Sequence, residues 1–191
     1  MNLFLLHSNV EESVKMYADV HVRKIMIEAL QMLSIACAYN GGYIHDTVDP
    51  HGKRTYNVFK QMPGVYKYTK SQASHPVTVW VRANKANAWY TYFYIRALAA
   101  EYQHRFGKPA GGKILTVLAY CERHLYDTNN RQLPFVIQPS KFYQDMPEEF
   151  RGSNAVSAYR RYYAAKKARL CVWTHRPVPG FMREAMACLQ K

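Results

Sequence analysis

The feature that most constrains this chain is a long helix-forming run near its start. From Glu11 to Tyr39 the residues read as one helix. Ser8 or Asn9 stands where a cap is needed, Glu11 and Glu12 suit the positive end, and Asn40-Gly41-Gly42 stops the run. Further helices are expected from Lys85 to Phe106, closed by Gly107 and Lys108-Pro109, and from Gly112 to Tyr126. Another runs from a Ser153 or Asn154 cap to about Val172, beyond which Arg176-Pro177-Val178-Pro179-Gly180 breaks the pattern, and a short one covers about Phe181 to Leu189. Asn2 to Leu6 reads as a short strand or a packed start. Residues 41–76 and 127–152 are rich in turn formers, and connections that long usually carry function. The expected fold is mostly α: a single compact helical domain over 1–191 with two long functional connections and little or no sheet. At 191 residues the chain can bury a core without disulfides or metal.

Several classes drop out. No stretch of about 18 apolar residues is free of polar interruption, which argues against a membrane span. Met1 to His7 is too short an apolar run, and lacks the basic flank, for a secretion signal. Cys37, Cys121, Cys171 and Cys188 form no C-x-x-C pair and read as free core thiols of a reducing cytoplasm. Cys121 and His124 are two ligands where zinc needs four. No metal and no cofactor is expected, and the oligomeric state is open.

The formal charge is +13, from 26 Lys and Arg against 13 Asp and Glu, and its distribution is uneven. From Pro50 to Ala100 there is no acid, against Lys53, Arg54, Lys60, Lys67, Lys70, Arg82, Lys85 and Arg96. From Phe150 to Arg183 there is again none, against Arg151, Arg160, Arg161, Lys166, Lys167, Arg169, Arg176 and Arg183. Cations without local carboxylates suit a phosphate backbone, whose counterions are released on binding. Tyr56, Phe59, Tyr66 and Tyr68 alternate with these bases, and rings of this kind stack on displaced bases. DNA is the expected partner.

Tyr17, His21, Lys24, Glu28 and Gln31 follow a 4, 3, 4, 3 spacing and so share one helix face. As a cleft wall this stripe makes Glu28 a general acid/base assisted by His21 and Lys24, with Tyr17 and Gln31 beside the substrate. As a solvent face it holds one helical salt bridge worth about 0.3–0.5 kcal/mol. His75, Trp80, Arg82 and Asn87 form a second constellation, with Arg82 the phosphate candidate and Trp80 a core alternative. Tyr159, Arg160, Tyr163 and Lys167 give the fourth long helix an aromatic and basic face.

Blocks spread over nearly the whole chain resemble a set of small, mostly viral proteins labelled pyrimidine-dimer DNA glycosylase. They are Phe4, Asp19-Val20-His21-Val22-Arg23-Lys24, Glu28, Gln31-Met32-Leu33-Ser34, His75-Pro76-x-x-x-Trp80-x-Arg82, Glu101-Tyr102-x-x-Arg105-x-Gly107-Lys108, Ala158-Tyr159-Arg160-x-Tyr162-Tyr163 and Trp173-x-x-Arg176. The chain is also distantly similar to the phage endonuclease-V-type pyrimidine-dimer glycosylase/lyase, through Asn2-Leu3, Pro147-Glu148-Glu149-Phe150-Arg151-Gly152 and the Arg176-Pro177 tail. That resemblance implies an all-α fold, base flipping and cleavage of the glycosidic bond. It also implies strand scission through a Schiff base, with an N-terminal amine as nucleophile and an essential carboxylate in the first long helix. Glu28 would fill the carboxylate role, and Lys24 could supply an amine.

Two readings follow. One is a DNA-binding enzyme, host-cytoplasmic if viral, that excises a damaged or modified pyrimidine, or modifies it in place. The other is a non-catalytic viral nucleic-acid-binding or host-interaction protein.

Overall fold

A computed structural model describes residues 2–126 and 139–187, excluding the side chains at positions 170 and 184. The first expected helix is two: α1 (Val10–Lys15) and α2 (Asp19–Asn40). Asn9 caps α1 by accepting the Glu12 N–H at 3.0 Å. The break at 16–18 has a cause far along the chain. The Arg105 guanidinium donates to the carbonyls of Lys15 at 2.9 Å and Tyr17 at 2.7 Å, which a continuous helix would need as acceptors. The Tyr163 hydroxyl then accepts the Ala18 N–H at 2.9 Å, where α2 begins without a side-chain cap of its own.

Helix α2 is the centre of the fold, packing against α4, α5 and α6. From Met32 to Asn40 every residue is buried. Its first half keeps an open side, on which Val20, Arg23, Lys24 and Ile27 are exposed.

Residues 41–76 hold more structure than the turn signals indicate. Strands β1 (Ile44–Val48) and β2 (Arg54–Phe59) form an antiparallel hairpin, followed by α3 (Lys70–Ser74) and α4 (Pro76–Val81). The Asp49-Pro50-His51-Gly52 signal is the hairpin tip, where the Asp49 carboxylate accepts the N–H groups of His51 and Lys53 at 2.9 and 2.8 Å. Gly64, at φ +79°, presses on Tyr120. A Cβ there would lie 2.7 Å from that ring, so both backbone and space demand glycine. Thr69 and Gln72 make a capping box on α3, and Pro76 opens α4.

Helices α5 (Lys85–Phe106) and α6 (Gly112–Tyr126) match expectation, with Asn84 as cap and Gly107 left-handed at φ 65°. Helix α7 (Ala155–Lys167), capped by Asn154, ends sooner than expected in a 3-10 turn at Ala168–Leu170. Helix α8 (Gly180–Ala187) follows. Of the expected irregular segment, 127–138 lies outside the described residues; 139–152 is irregular apart from a 3-10 turn at Glu148–Phe150. The fold is mostly α, and the hairpin is the only sheet among the described residues. No described helix is long and apolar enough to cross a membrane.

The amino-terminal segment is a packed start rather than a strand. Leu3, Phe4 and Leu6 are buried, and the Phe4 carbonyl accepts from the Tyr17 and Tyr94 hydroxyls at 2.8 and 2.7 Å. The Phe4 ring meets Tyr17, His21, Tyr159 and Tyr163 edge to face, an aromatic knot joining the start of the chain to α2 and α7. Cys37, Cys121 and Cys171 are free and buried; Cys188 lies outside the described residues.

Candidate active site

The polar stripe of α2 divides. Tyr17 precedes the helix and is fully buried, its hydroxyl bonded to Phe4 and Tyr94. His21 is 4% exposed, and its Nδ1 lies 2.5 Å from the Tyr163 hydroxyl. That hydroxyl already accepts the Ala18 N–H, so its own proton goes to Nδ1 and leaves His21 as the Nε2–H tautomer. Burial, then the nearby charges of Lys167 and Lys24, push the imidazole pKa down to about 4. The expectation that His21 assists Glu28 is therefore corrected: it is a neutral core group. Tyr159 and Tyr163, expected to line a substrate site, are likewise buried, because their hydroxyls find partners inside.

Lys24, Glu28 and Gln31 remain at the protein's edge. The Glu28 side chain is 18% exposed; its Oε2 accepts the Asn2 N–H at 3.1 Å and its Oε1 lies 3.9 Å from Lys24 Nζ. Lys24 stands in water at 64% side-chain exposure, and Gln31 is half-buried one turn beyond Glu28.

Asn2 joins Glu28 to a second group of residues. Its Nδ2 donates to the Asp145 carbonyl at 2.7 Å, and its Oδ1 lies 3.1 Å from the Tyr159 hydroxyl, which accepts the Asp145 N–H at 3.1 Å. Tyr159 is thus a buried post that fixes both Asn2 and Asp145. The Asp145 carboxylate, 30% exposed, lies 3.6 Å from Nε2 of His75, which is 26% exposed at the start of α4. Burial lowers the His75 pKa, against the opposing pull of Asp145 and Glu28. Positions 2, 28, 75 and 145 thus meet at one partly exposed patch carrying two carboxylates, an imidazole and the Asn2 main-chain N–H. Asp145 is the functional candidate that sequence reasoning misses. Its only local signal is its place two residues before Pro147; its position comes from Tyr159 and Asn2, far along the chain.

The rest of the second constellation is structural. Arg82, expected on a phosphate, is 7% exposed in its side chain; Nη2 donates to Asp46 at 2.9 Å and the guanidinium lies 3.8 Å from the Tyr39 ring centre. Arg54 shares the same carboxylate. Burial alone would raise the Asp46 pKa, but the two arginines outweigh it and leave it lowered. Trp80 donates to the Lys141 carbonyl at 2.9 Å, which supports its core alternative. Asn87 is buried and bonds both Trp80 and Ser140. These two anchor residues 140–142 and thereby position Asp145.

Asp19, Glu101, Arg105, Trp173 and Arg176, from the resemblance blocks, form a second ionic centre. The fully buried Arg105 binds Glu101 at 2.6 Å and Asp19 at 2.8 Å, and Arg176 binds Glu101 at 2.8 Å. Thr174 donates to Asp19 at 2.7 Å, and Trp173 Nε1 to the Met16 carbonyl at 3.0 Å.

Among the described residues, Arg54, Arg82 and Arg176 of the acid-free stretches therefore have carboxylate partners in space. The cations of α7 do not. Among the described residues Arg160, Arg161, Lys166 and Lys167 have no carboxylate within ion-pair distance. Arg160 instead donates to the Leu6 carbonyl at 2.8 Å and Lys167 lies over the Tyr162 ring at 5.4 Å. The Tyr163 hydroxyl, which meets Ala18 and His21, seats this basic helix against the start of α2. A groove of about 990 Å³ lies elsewhere, between α1 and α5, lined by Val10, Val14, Phe93, Arg96, Ala97 and His104 among others. No group of three or more His, Cys, Asp or Glu among the described residues could hold a metal ion. No family model, curated protein or solved structure matches this chain.

Proposed function

We propose that this protein is a DNA-binding enzyme that excises a damaged or modified pyrimidine base after flipping it out of the duplex, with Glu28 as its essential carboxylate. The observation that carries this reading is the setting of Glu28. It is a partly exposed carboxylate on the central helix, held by the Asn2 N–H and linked through Asn2 to Tyr159 of α7, a helix whose cations have no carboxylate partner among the described residues.

In the reaction the C1′–N1 bond breaks and its electron pair leaves on the base, which takes up a proton. Glu28 stabilises the positive charge that develops on the sugar. If water attacks C1′, Glu28 accepts its proton and an abasic site results. If an amine attacks C1′ and gives up its proton, the C1′–O4′ bond opens to leave a Schiff base, with O4′ taking up a proton. Loss of a C2′ proton then expels the 3′ phosphate by β-elimination. Two nitrogens adjoin the carboxylate: Lys24 Nζ, and the Asn2 nitrogen, which becomes a free amine if Met1 is removed.

The test is Glu28→Gln on duplexes carrying pyrimidine lesions, with base release, borohydride trapping and affinity measured together. The enzyme reading expects lost turnover with binding intact, and any trapped peptide identifies the amine. A wild-type protein that binds these duplexes but releases no base and forms no adduct contradicts it and leaves a binding protein.

A further inference from the structure

His75 and Asp145 have no assigned part in bond breaking, and their geometry suits recognition. The Nδ1 atom of His75 is buried and has no hydrogen-bond partner among the described residues. The Asp145 carboxylate lies beside Nε2, and its negative charge favours the imidazole proton on that nitrogen. That N–H emerges beside Asp145 Oδ2 at 3.6 Å, too long for a hydrogen bond, so donor and acceptor are side by side without satisfying each other. Both side chains are partly open to solvent, and among the described residues the Asp145 carboxylate has no other ion-pair partner. The main chain of Asp145 is fixed by Tyr159 and Asn2, so the carboxylate is presented from a rigid base.

A donor and an acceptor placed this way complement the Watson–Crick edge of a pyrimidine. Thymine and uracil offer a carbonyl next to N3–H; cytosine offers N3 next to its amino group. Flipped bases are read through this edge. We propose that His75 and Asp145 form a base-reading pair, the Nε2–H donating to the ring's acceptor and the carboxylate accepting from its N–H. This inference rests on the DNA-enzyme reading above. It adds the subsite that holds the base, while Glu28, one residue's breadth away across Asn2, faces the sugar.

The test compares two duplexes of one sequence by fluorescence anisotropy. One carries a single unpaired thymine, the other a tetrahydrofuran abasic analogue at that position. The wild-type protein should bind the thymine duplex at least about tenfold more tightly, as expected of hydrogen bonds to a charged group. Asp145→Ala and His75→Ala should each reduce that preference to less than about threefold while leaving affinity for the abasic duplex unchanged, and His75→Gln, which keeps an N–H donor, should restore part of it. Asp145 makes no other side-chain contact of this kind, so its variant should melt like the wild type. A preference that survives Asp145→Ala, or a wild-type protein that binds both duplexes equally, overturns the reading pair and leaves the glycosylase reading standing. A wild-type protein that binds neither duplex overturns the DNA reading and the pair with it.

Discussion

Two charged centres, each assembled from distant parts of the chain, differ in how far their groups are satisfied. Around Arg105, two carboxylates, two guanidiniums, a threonine and two main-chain carbonyls account for one another, with Arg105 and Glu101 buried and Asp19 and Arg176 partly exposed. Around Glu28, Asn2, His75 and Asp145, contacts are fewer and longer, the side chains are partly in water, and one imidazole nitrogen has no partner among the described residues. The first arrangement is what buried charges require to be tolerated at all. The second leaves capacity for something else to bind. Ionisable residues in a motif therefore do not by themselves mark a site; the distinguishing property is whether their hydrogen-bonding capacity is already used.

The sharpest way to break this contrast is to cut each centre once. Arg105→Ala leaves two carboxylates without their buried partner and should destabilise the fold by about 3–5 kcal/mol in urea titration. Glu28→Gln should lower turnover about 10²–10⁴-fold while changing stability by less than about 1 kcal/mol. If the stability losses came out equal, the two centres would be of one kind.

A third variant tests the buried histidine between them. His21 has an ordinary pKa of 6.5 and a folded value of about 4. Below pH 6.5 the unfolded chain takes a proton that the native protein refuses. The stability due to neutral His21 is therefore full above 6.5 and is lost as pH falls towards 4, by about 3 kcal/mol. His21→Gln keeps an acceptor for the Tyr163 hydroxyl and should flatten that slope; an unchanged slope would place the proton elsewhere. The loss from Asp19 and Glu101 belongs to more acid pH and should persist, since Thr174 and Arg105 hold the Asp19 pKa down against burial, and Arg176 and Arg105 that of Glu101.

The smallest effects belong to the surface. Lys167→Ala and Arg161→Ala should each reduce the slope of log affinity for duplex DNA against log salt by about one. Lys15→Ala should leave it unchanged, since that ammonium is already paired with Glu12 at 2.6 Å.

What the sequence makes legible follows from how local the physics is. The caps Asn9, Asn84 and Asn154 act within three residues, and the end of α5 follows from a left-handed Gly107. The break between α1 and α2 is invisible, because the guanidinium that takes its carbonyls arrives from α5. The hairpin shows only as its tip, because strand pairing is decided between segments. Glu28 and His75 stand out by residue type and spacing, whereas Asp145 depends on Tyr159 and Asn2 for its position. The tyrosines mislead for the same reason. Tyr17, Tyr159 and Tyr163 have the composition of a stacking surface, yet each hydroxyl has an internal partner and each ring is buried.

The most direct test of the account is where the nucleic acid lies. A duplex carrying 5-iodouracil at a flipped or unpaired position can be cross-linked by light to neighbouring aromatic rings and the adducts mapped by mass spectrometry. Adducts should fall on Tyr143, which is 37% exposed beside Asp145, and on Tyr162 of the basic helix. Adducts confined to Phe93 and its neighbours in the α1–α5 groove would contradict the account, because they would put the DNA away from Glu28.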